Sequence, residues 1–185
     1  MKNCDKTKVV GEGVSRRTLT GGAVALLGFG PAMVRAEGGG EISRNAESIH
    51  QEPVFEASCA RVYQALTDHN QFGKIVQLSG AMKAGELPAD KPAQIDPRAG
   101  GAFSLFGGLI SGRTIELVPN QRIVQAWRAG SWTAGAYSVV RFELVPIGSK
   151  TKIVFDHAGF PQGQADHLLA GWNLNYWEPM KKYFA

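Results

Sequence analysis

Cysteine is nearly absent: Cys4 and Cys59 are the only two in 185 residues, so one chain can assemble neither a disulfide-stapled scaffold nor a four-thiolate zinc centre. Long apolar runs are missing too. The stretch from Gly21 to Val34 is fourteen residues and contains four glycines and Pro31, whereas a membrane-spanning helix needs roughly 20 apolar residues; no stable membrane span is expected. The four histidines, His50, His69, His157 and His167, show neither HxxxH nor HExxH spacing, which removes the usual helix-borne metal sites. No Ser-His-Asp motif and no paired-carboxylate spacing occurs. Gly100-Gly101 and Gly107-Gly108 flank a strand pattern and lack the Lys or helix start that a phosphate-cradling loop requires. No metal, cofactor or catalytic residue is therefore assigned.

A charge surplus is also lacking over most of the chain. The formal charge is +4, but six Lys or Arg and two acids fall in residues 1–36, leaving fourteen basic and fourteen acidic residues afterwards. A nucleic-acid surface needs a basic stripe, and none is present. What the sequence has is apolar content, 44% of residues, enough for one packed domain. Twenty-three glycines and nine prolines argue against a helical bundle.

The basic front has the order of an export signal: charged residues, the apolar stretch, then the small-residue site Val34-Arg35-Ala36. Ser15-Arg16-Arg17-Thr18-Leu19-Thr20 resembles a twin-arginine signal, which is read by a dedicated export machinery. Residues 1–36 are thus expected to be cleaved near Ala36, residues 37–46 to form a flexible Gly-rich leader, and residues 47–185 to be a domain delivered to the periplasm or otherwise exported. Cys59 would then be the one remaining thiol, a core filler at a helix start or, less in keeping with its setting, a nucleophile.

Along residues 47–185 the pattern is chiefly β. A first strand from Glu47 to Ala57 is bent or edge-placed at Pro53, and Ser58 caps a short amphipathic helix running to Asp68 with Val62, Tyr63 and Leu66 inward. Residues 72–91 are irregular, with at most one helical turn or strand. Strand runs follow at 94–96, 101–106, 109–118, 122–128, 136–145 and 150–157, joined by short turns. Ser138, Val140, Phe142 and Leu144 share one face, as do Ile153 and Phe155. A helix over 162–184, about 34 Å long, covers that face with a stripe of Leu168, Leu169, Trp172, Tyr176, Met180 and Tyr183 or Phe184. Gly171 would let a strand approach closely, and Pro179 would kink the last turns by removing the bond to the Asn175 carbonyl.

Two inward polar groups stand out. His157 ends the apolar face of the last strand, either as a capping group or as a base or ligand contact. Arg113 has the parity of Ile115 and Leu117, which aims a cation inward unless a bulge near Gly112 intervenes; both readings stay open.

Four blocks carry a family resemblance: Gly100-Gly101-Ala102-Phe103-Ser104-Leu105-Phe106-Gly107-Gly108, Ile123-Val124-Gln125-Ala126-Trp127-Arg128, Phe155-Asp156-His157-Ala158-Gly159-Phe160-Pro161, and Gly171-Trp172 with Asn175-Tyr176-Trp177. In that order, from about Ser48 to Ala185, they resemble bacterial relatives of the C-terminal domain of the activator of heat-shock protein 90 ATPase, in the START-like superfamily called SRPBCC. The resemblance implies an α+β helix-grip fold: a curved antiparallel sheet of about seven strands around a long C-terminal helix. It also implies a small hydrophobic or amphipathic ligand between sheet and helix. The cavity-lining candidates on that implication are Phe103, Leu105, Arg113, Trp127, Ser138, Val140, Phe142, Phe155, His157, Trp172 and Tyr176; Trp132 and Trp177 add aromatic surface. A chaperone-contacting module is the alternative, which the eukaryotic activators' additional N-terminal domain and an exported location both weaken. A cyclase- or hydratase-like enzyme, needing His157 or Arg113 as inward acid or base, is the third expectation.

Overall fold

The computed structural model describes residues 47–88 and 91–185, so the expected export signal, cleavage site and leader lie outside the described residues. Two short strands, β1 (Ser48–Gln51) and β2 (Val54–Phe55), are separated at Pro53, where a missing N–H interrupts the ladder. Three helices follow. In α1 (Cys59–Thr67) the Ser58 side chain accepts the Arg61 N–H, burying Val62, Ala65 and Leu66. The Asp68 side chain then accepts the Gln71 N–H at 2.8 Å, starting α2 (His69–Gln77) with Phe72, Ile75 and Val76 inward. Ser79 caps the four-residue α3 (Gly80–Lys83).

The segment expected to be irregular is therefore helical over 72–77 and 80–83. Its i, i+3, i+4 set of Phe72, Ile75 and Val76 is helical in spacing, but Gly73 and the polar residues around it dilute the signal. Asp68 ends one helix and caps the next.

The remaining strands are β3 (Gln94–Ile95), β4 (Ala102–Leu105), β5 (Ile110–Val118), β6 (Arg122–Ala129), β7 (Ser138–Ile147) and β8 (Lys150–Ala158). They form an antiparallel sheet in the order β1-β8-β7-β6-β5-β4-β3, with β2 also on β8. The expected face assignment holds: Ser138, Val140, Phe142 and Leu144 are buried on β7, and Thr151, Ile153, Phe155 and His157 on β8. The opposite face is wet and charged. There His50 and Arg141 both meet Asp156 at 2.8 Å, and the His50 and Arg141 hydrogen bonds hold the Asp156 carboxyl below its usual range.

Arg113 turns outward, and its guanidinium donates to the Gly100 carbonyl at 2.9 Å. The inward reading fails because the register shifts between Thr114 and Glu116: Thr114 is buried, Ile115 is exposed, and the pattern resumes with opposite parity at Leu117. The bulge thus lies at Ile115 rather than near Gly112. Gly112 has another task. A Cβ there would collide with the Ala126 carbonyl oxygen and the Phe103 ring, so the bare backbone lets Phe103 lie across β5. Gly112→Ala is expected to destabilise the domain by about 3 kcal/mol, read as a lower urea midpoint with an unchanged slope.

The C-terminal helix has three parts: α4 (Ala165–Trp172), a π-helical turn (Asn173–Trp177) and α5 (Glu178–Phe184). Pro179 has no N–H to return to Asn175, and the helix widens just ahead of it so that the Glu178 N–H reaches the Asn173 carbonyl, five residues back. The proline then sits in the first turn of α5, where a missing donor is harmless. The wider turn also changes which residues share a face. Trp177 comes round to stack on Trp172, centroids 5.6 Å apart and planes 21° apart. Leu169, expected in the buried stripe, is 43% exposed.

Candidate functional site

Rings fill the middle of the sheet. Phe155 lies 4.4 Å from Trp172 and 5.3 Å from Phe142, centroid to centroid, and Trp177 packs on Phe155 at 5.1 Å while its indole N–H donates to the Gln51 side chain at 2.9 Å. Buried polar groups inside this core are paired in a chain. The Trp172 indole donates to His157 Nδ1 at 3.0 Å. Because an indole can only donate, Nδ1 must accept and the neutral ring carries its proton on Nε2. His157 Nε2 then donates to Ser138 Oγ at 2.7 Å, which donates to the Trp127 carbonyl at 3.0 Å. One polar relay thereby joins β8, β7, β6 and the C-terminal helix.

His157 is fully buried, and desolvation pulls its pKa down to about 4 from the usual 6.5. It is a neutral structural pivot with both nitrogens engaged. Unfolding frees the ring to bind a proton, so stability is fully present above pH 6.5 and is lost as pH falls through the window from 6.5 to about 4. The loss amounts to about 3 kcal/mol for a shift of that size. Thermal midpoints of wild type and His157→Leu across this window should diverge in pH dependence, the wild type alone showing the histidine's contribution. The Asp156 carboxyl titrates below it.

The open space lies beside this core, not within it. A cavity of about 500 Å³ is bounded by α3, by the turn between β4 and β5, by the far ends of β5 and β6, and by α4 with the π turn. Gly80, Ala81 and Ala84 form one side; Phe106, Leu109 and Ile110 a second; Trp127, Ala129 and Trp132 a third; and Leu168, Gly171, Trp172, Leu174 and Tyr176 the fourth. Asn175 ties two sides together, its Oδ1 accepting the Ala81 N–H at 2.9 Å. Leu109 and Leu174, 50% and 57% exposed, mark an apolar mouth. Glu86 and His167 are the acid and the base of the lining, and both are exposed. A smaller hollow of about 280 Å³ lies beyond Phe106, rimmed by His69, Lys74 and Lys91.

Of the eleven expected lining residues, the structure brings Trp127, Trp172 and Tyr176 to the cavity. Phe103, Leu105, Ser138, Val140, Phe142, Phe155 and His157 are buried but belong to the filled core, and Arg113 is on the outer face. Parity along a strand tells inward from outward, yet not filled from hollow. Trp132 does line the cavity, whereas Trp177 does not. Gly171 was expected to admit a strand; instead, a Cβ there would meet nothing within 4 Å, because it borders the cavity.

Among the described residues, no group of three or more His, Cys, Asp or Glu is placed to hold a metal ion. Cys59 is half-buried, with the Thr151 hydroxyl 3.5 Å from its sulfur.

Residues 56–185 match the family described as activator of Hsp90 ATPase homolog 1-like protein. The chain belongs to that family. It is 32% identical over 134 residues, 72% of this chain, to the mouse activator of 90 kDa heat shock protein ATPase homolog 2. It is 29% identical over 93 residues to the human homolog 1. The chain covers 37% and 28% of those two proteins, so it spans well under half the length of these relatives. Among solved structures, an HSP90 activator from Plasmodium falciparum superposes with a TM-score of 0.64 at 22% identity, covering 73% of this chain and 94% of that one. CalU16 from Micromonospora echinospora gives 0.59 at 21%, covering 76% and 77%. At these identities the structural likeness is one of fold, and it bears out the START-like α+β architecture.

Proposed function

We propose that this family member takes up one small, predominantly apolar molecule in the cavity between α3, the β5–β6 end of the sheet and the C-terminal helix. The supporting observation is the hollow itself. At about 500 Å³ it falls within the roughly 300–1,000 Å³ of small-molecule sites, beside a core otherwise closed by stacked rings. Binding would be driven by removing apolar surface from water on both partners, with no covalent step. Neither His157, buried with both nitrogens engaged, nor Arg113, on the opposite face, favours acid–base chemistry there. Native mass spectrometry of the domain purified from its host should show an adduct that organic extraction removes. A bare-chain mass, together with no one-to-one uptake of a naphthalene probe, would count against the reading.

A second reading is favoured by the family itself, whose relatives carry the name of activators of the 90 kDa heat-shock protein ATPase. In it the domain contacts such a chaperone. Titration of the domain with the host's chaperone, followed by calorimetry, tests it: one-to-one heat supports contact, and its absence removes it. The readings demand different locations. The Ser15-Arg16-Arg17 pattern supports export through the twin-arginine machinery to the periplasm. Fractionation of a tagged full-length chain would place it with periplasmic markers, and retention in the cytosol would favour the chaperone reading.

A further inference from the structure

Five buried side-chain polar atoms lack a partner among the described residues; Glu47 Oε2 and Arg128 Nε lie outside the cavity lining, and the other three gather in one place. The indole nitrogens of Trp127 and Trp132 and the hydroxyl of Tyr176 are buried without a hydrogen-bond partner among the described residues. All three residues line the cavity and are more than nine-tenths buried. Trp127 adjoins each of the other two. The two indoles meet edge-on at 5.4 Å, and the Trp127 N–H is near enough to the Tyr176 hydroxyl to oppose its upward shift without forming an aligned bond. The contrast with Trp172 and Trp177 is informative, since their N–H groups are taken by His157 and Gln51. Buried donors left unpaired cost about 1–3 kcal/mol each, so two in one wall point to a partner that arrives from outside.

The chemistry of that partner follows from the donors. An indole N–H gives a hydrogen bond and accepts none, and burial keeps the Tyr176 hydroxyl protonated. The matching group is an acceptor oxygen. Its charge is constrained by what stands near. Arg128 is the cation adjoining this wall; one terminal nitrogen donates to the Trp132 carbonyl at 2.9 Å, its guanidinium lies over the Tyr137 ring, and its Nε is buried without a partner, but the residue is not among those that line the cavity. The lining's own acid and base, Glu86 and His167, are exposed. A carboxylate seated against the indoles would be desolvated without a counter-charge.

Resting on the cavity reading above, we infer that the ligand is an uncharged carbonyl-bearing amphiphile, its oxygen received by the indole N–H groups of Trp127 and Trp132 beside Tyr176, its apolar body against Leu109, Leu168 and Leu174. The subsite selects ketone, ester or amide oxygens over both hydrocarbon and carboxylate of the same shape.

Three probes with one skeleton separate the possibilities: 2-acetylnaphthalene, 2-ethylnaphthalene and 2-naphthoate, titrated into the domain by calorimetry at pH 7.5. The ketone should bind at least tenfold more tightly than the hydrocarbon, as one or two hydrogen bonds replacing unpaired donors require, and the carboxylate should bind most weakly. Trp132→Phe removes ring surface from both probes and an N–H from the ketone alone, so the ratio of ketone to hydrocarbon affinity should fall severalfold whatever the change in the hydrocarbon's own binding. Tyr176→Phe removes a single oxygen, so it keeps the test alive should Trp132→Phe fold poorly; it too should lower the ratio of ketone to hydrocarbon affinity severalfold. Equal binding of ketone and hydrocarbon would overturn the acceptor-selective subsite and leave the cavity reading standing. Tightest binding of 2-naphthoate would overturn the uncharged head group. No binding of any probe would overturn both.

Discussion

Gly171→Leu is expected to weaken uptake of any cavity ligand at least tenfold while leaving the thermal midpoint unchanged or higher. The position combines two properties. It lies in the interior of α4, where glycine is about 1 kcal/mol less favourable than a good helix former, and it borders the cavity, where an added Cβ meets nothing within 4 Å. Leucine therefore improves the helix and occupies volume the ligand needs. Filling changes elsewhere would confound the two effects, because most core positions are close-packed and overfilling them strains the fold. Affinity of 2-acetylnaphthalene and a melting curve, measured on the same sample, check it. Undiminished binding would mean that the ligand sits elsewhere.

His157→Leu is expected to produce the largest loss of stability, about 3–4 kcal/mol, a large share of the roughly 5–15 kcal/mol that a domain has. Leucine has similar bulk but cannot accept, so the buried Trp172 N–H loses its partner and Ser138 loses one neighbour. The ring also makes edge contacts with Trp127 and Phe160, both at 5.0 Å between centroids, that an aliphatic side chain does not reproduce. A double-mutant cycle separates these contributions. Adding Trp172→Phe removes the orphaned donor, so the double variant should lose less than the sum of the singles by about 1–2 kcal/mol. Strict additivity would show that the relay is not the source of the loss. The same substitution bears on the function: Trp172 is part of the cavity wall, and the relay holds it in place.

The sheet and its buried face could be read from the sequence because alternation is a local property. Val140 and Phe142 on β7 and Ile153 and Phe155 on β8 stand where period-two patterning puts them. Ser58 marked α1, and Pro53 marked the break between β1 and β2. Reading failed where one residue changes the count. The bulge at Ile115 reverses parity between Thr114 and Leu117, so Arg113 could be placed either way from sequence, and the π turn ahead of Pro179 brings Trp177 onto the face of Trp172, which a regular helix would not do. The bulge has no residue signature of its own, and Pro179 signals an irregularity in the helix without saying that it takes the form of a π turn.

The cavity was less readable than the fold for a different reason. Inward-facing residues are the same types whether they fill space or border it: Phe142 and Tyr176 both face the core, yet one packs among rings and the other adjoins the hollow. The clues lay in small residues at places where bulk would be expected. Gly80 and Ala81 on α3 and Ala84 just after it, Gly130 before Trp132, and Gly171 on α4 all line the cavity, and α3 itself fell in the segment expected to be irregular. A tryptophan in a Gly-Ser turn was a further signal, because Trp132 has no strand or helix to lie along and must find apolar neighbours across a gap.

The four tryptophans offer the most direct check that a molecule enters this cavity. In a proton–nitrogen correlation spectrum, each indole N–H gives its own resonance, and titration with 2-acetylnaphthalene should shift those of Trp127 and Trp132, saturating at one equivalent, while that of Trp177, bonded to Gln51, stays in place. Absence of any indole shift up to saturating probe, or shifts confined to the outer sheet face around Tyr137 and Val139, would contradict uptake between α3, the sheet end and the C-terminal helix.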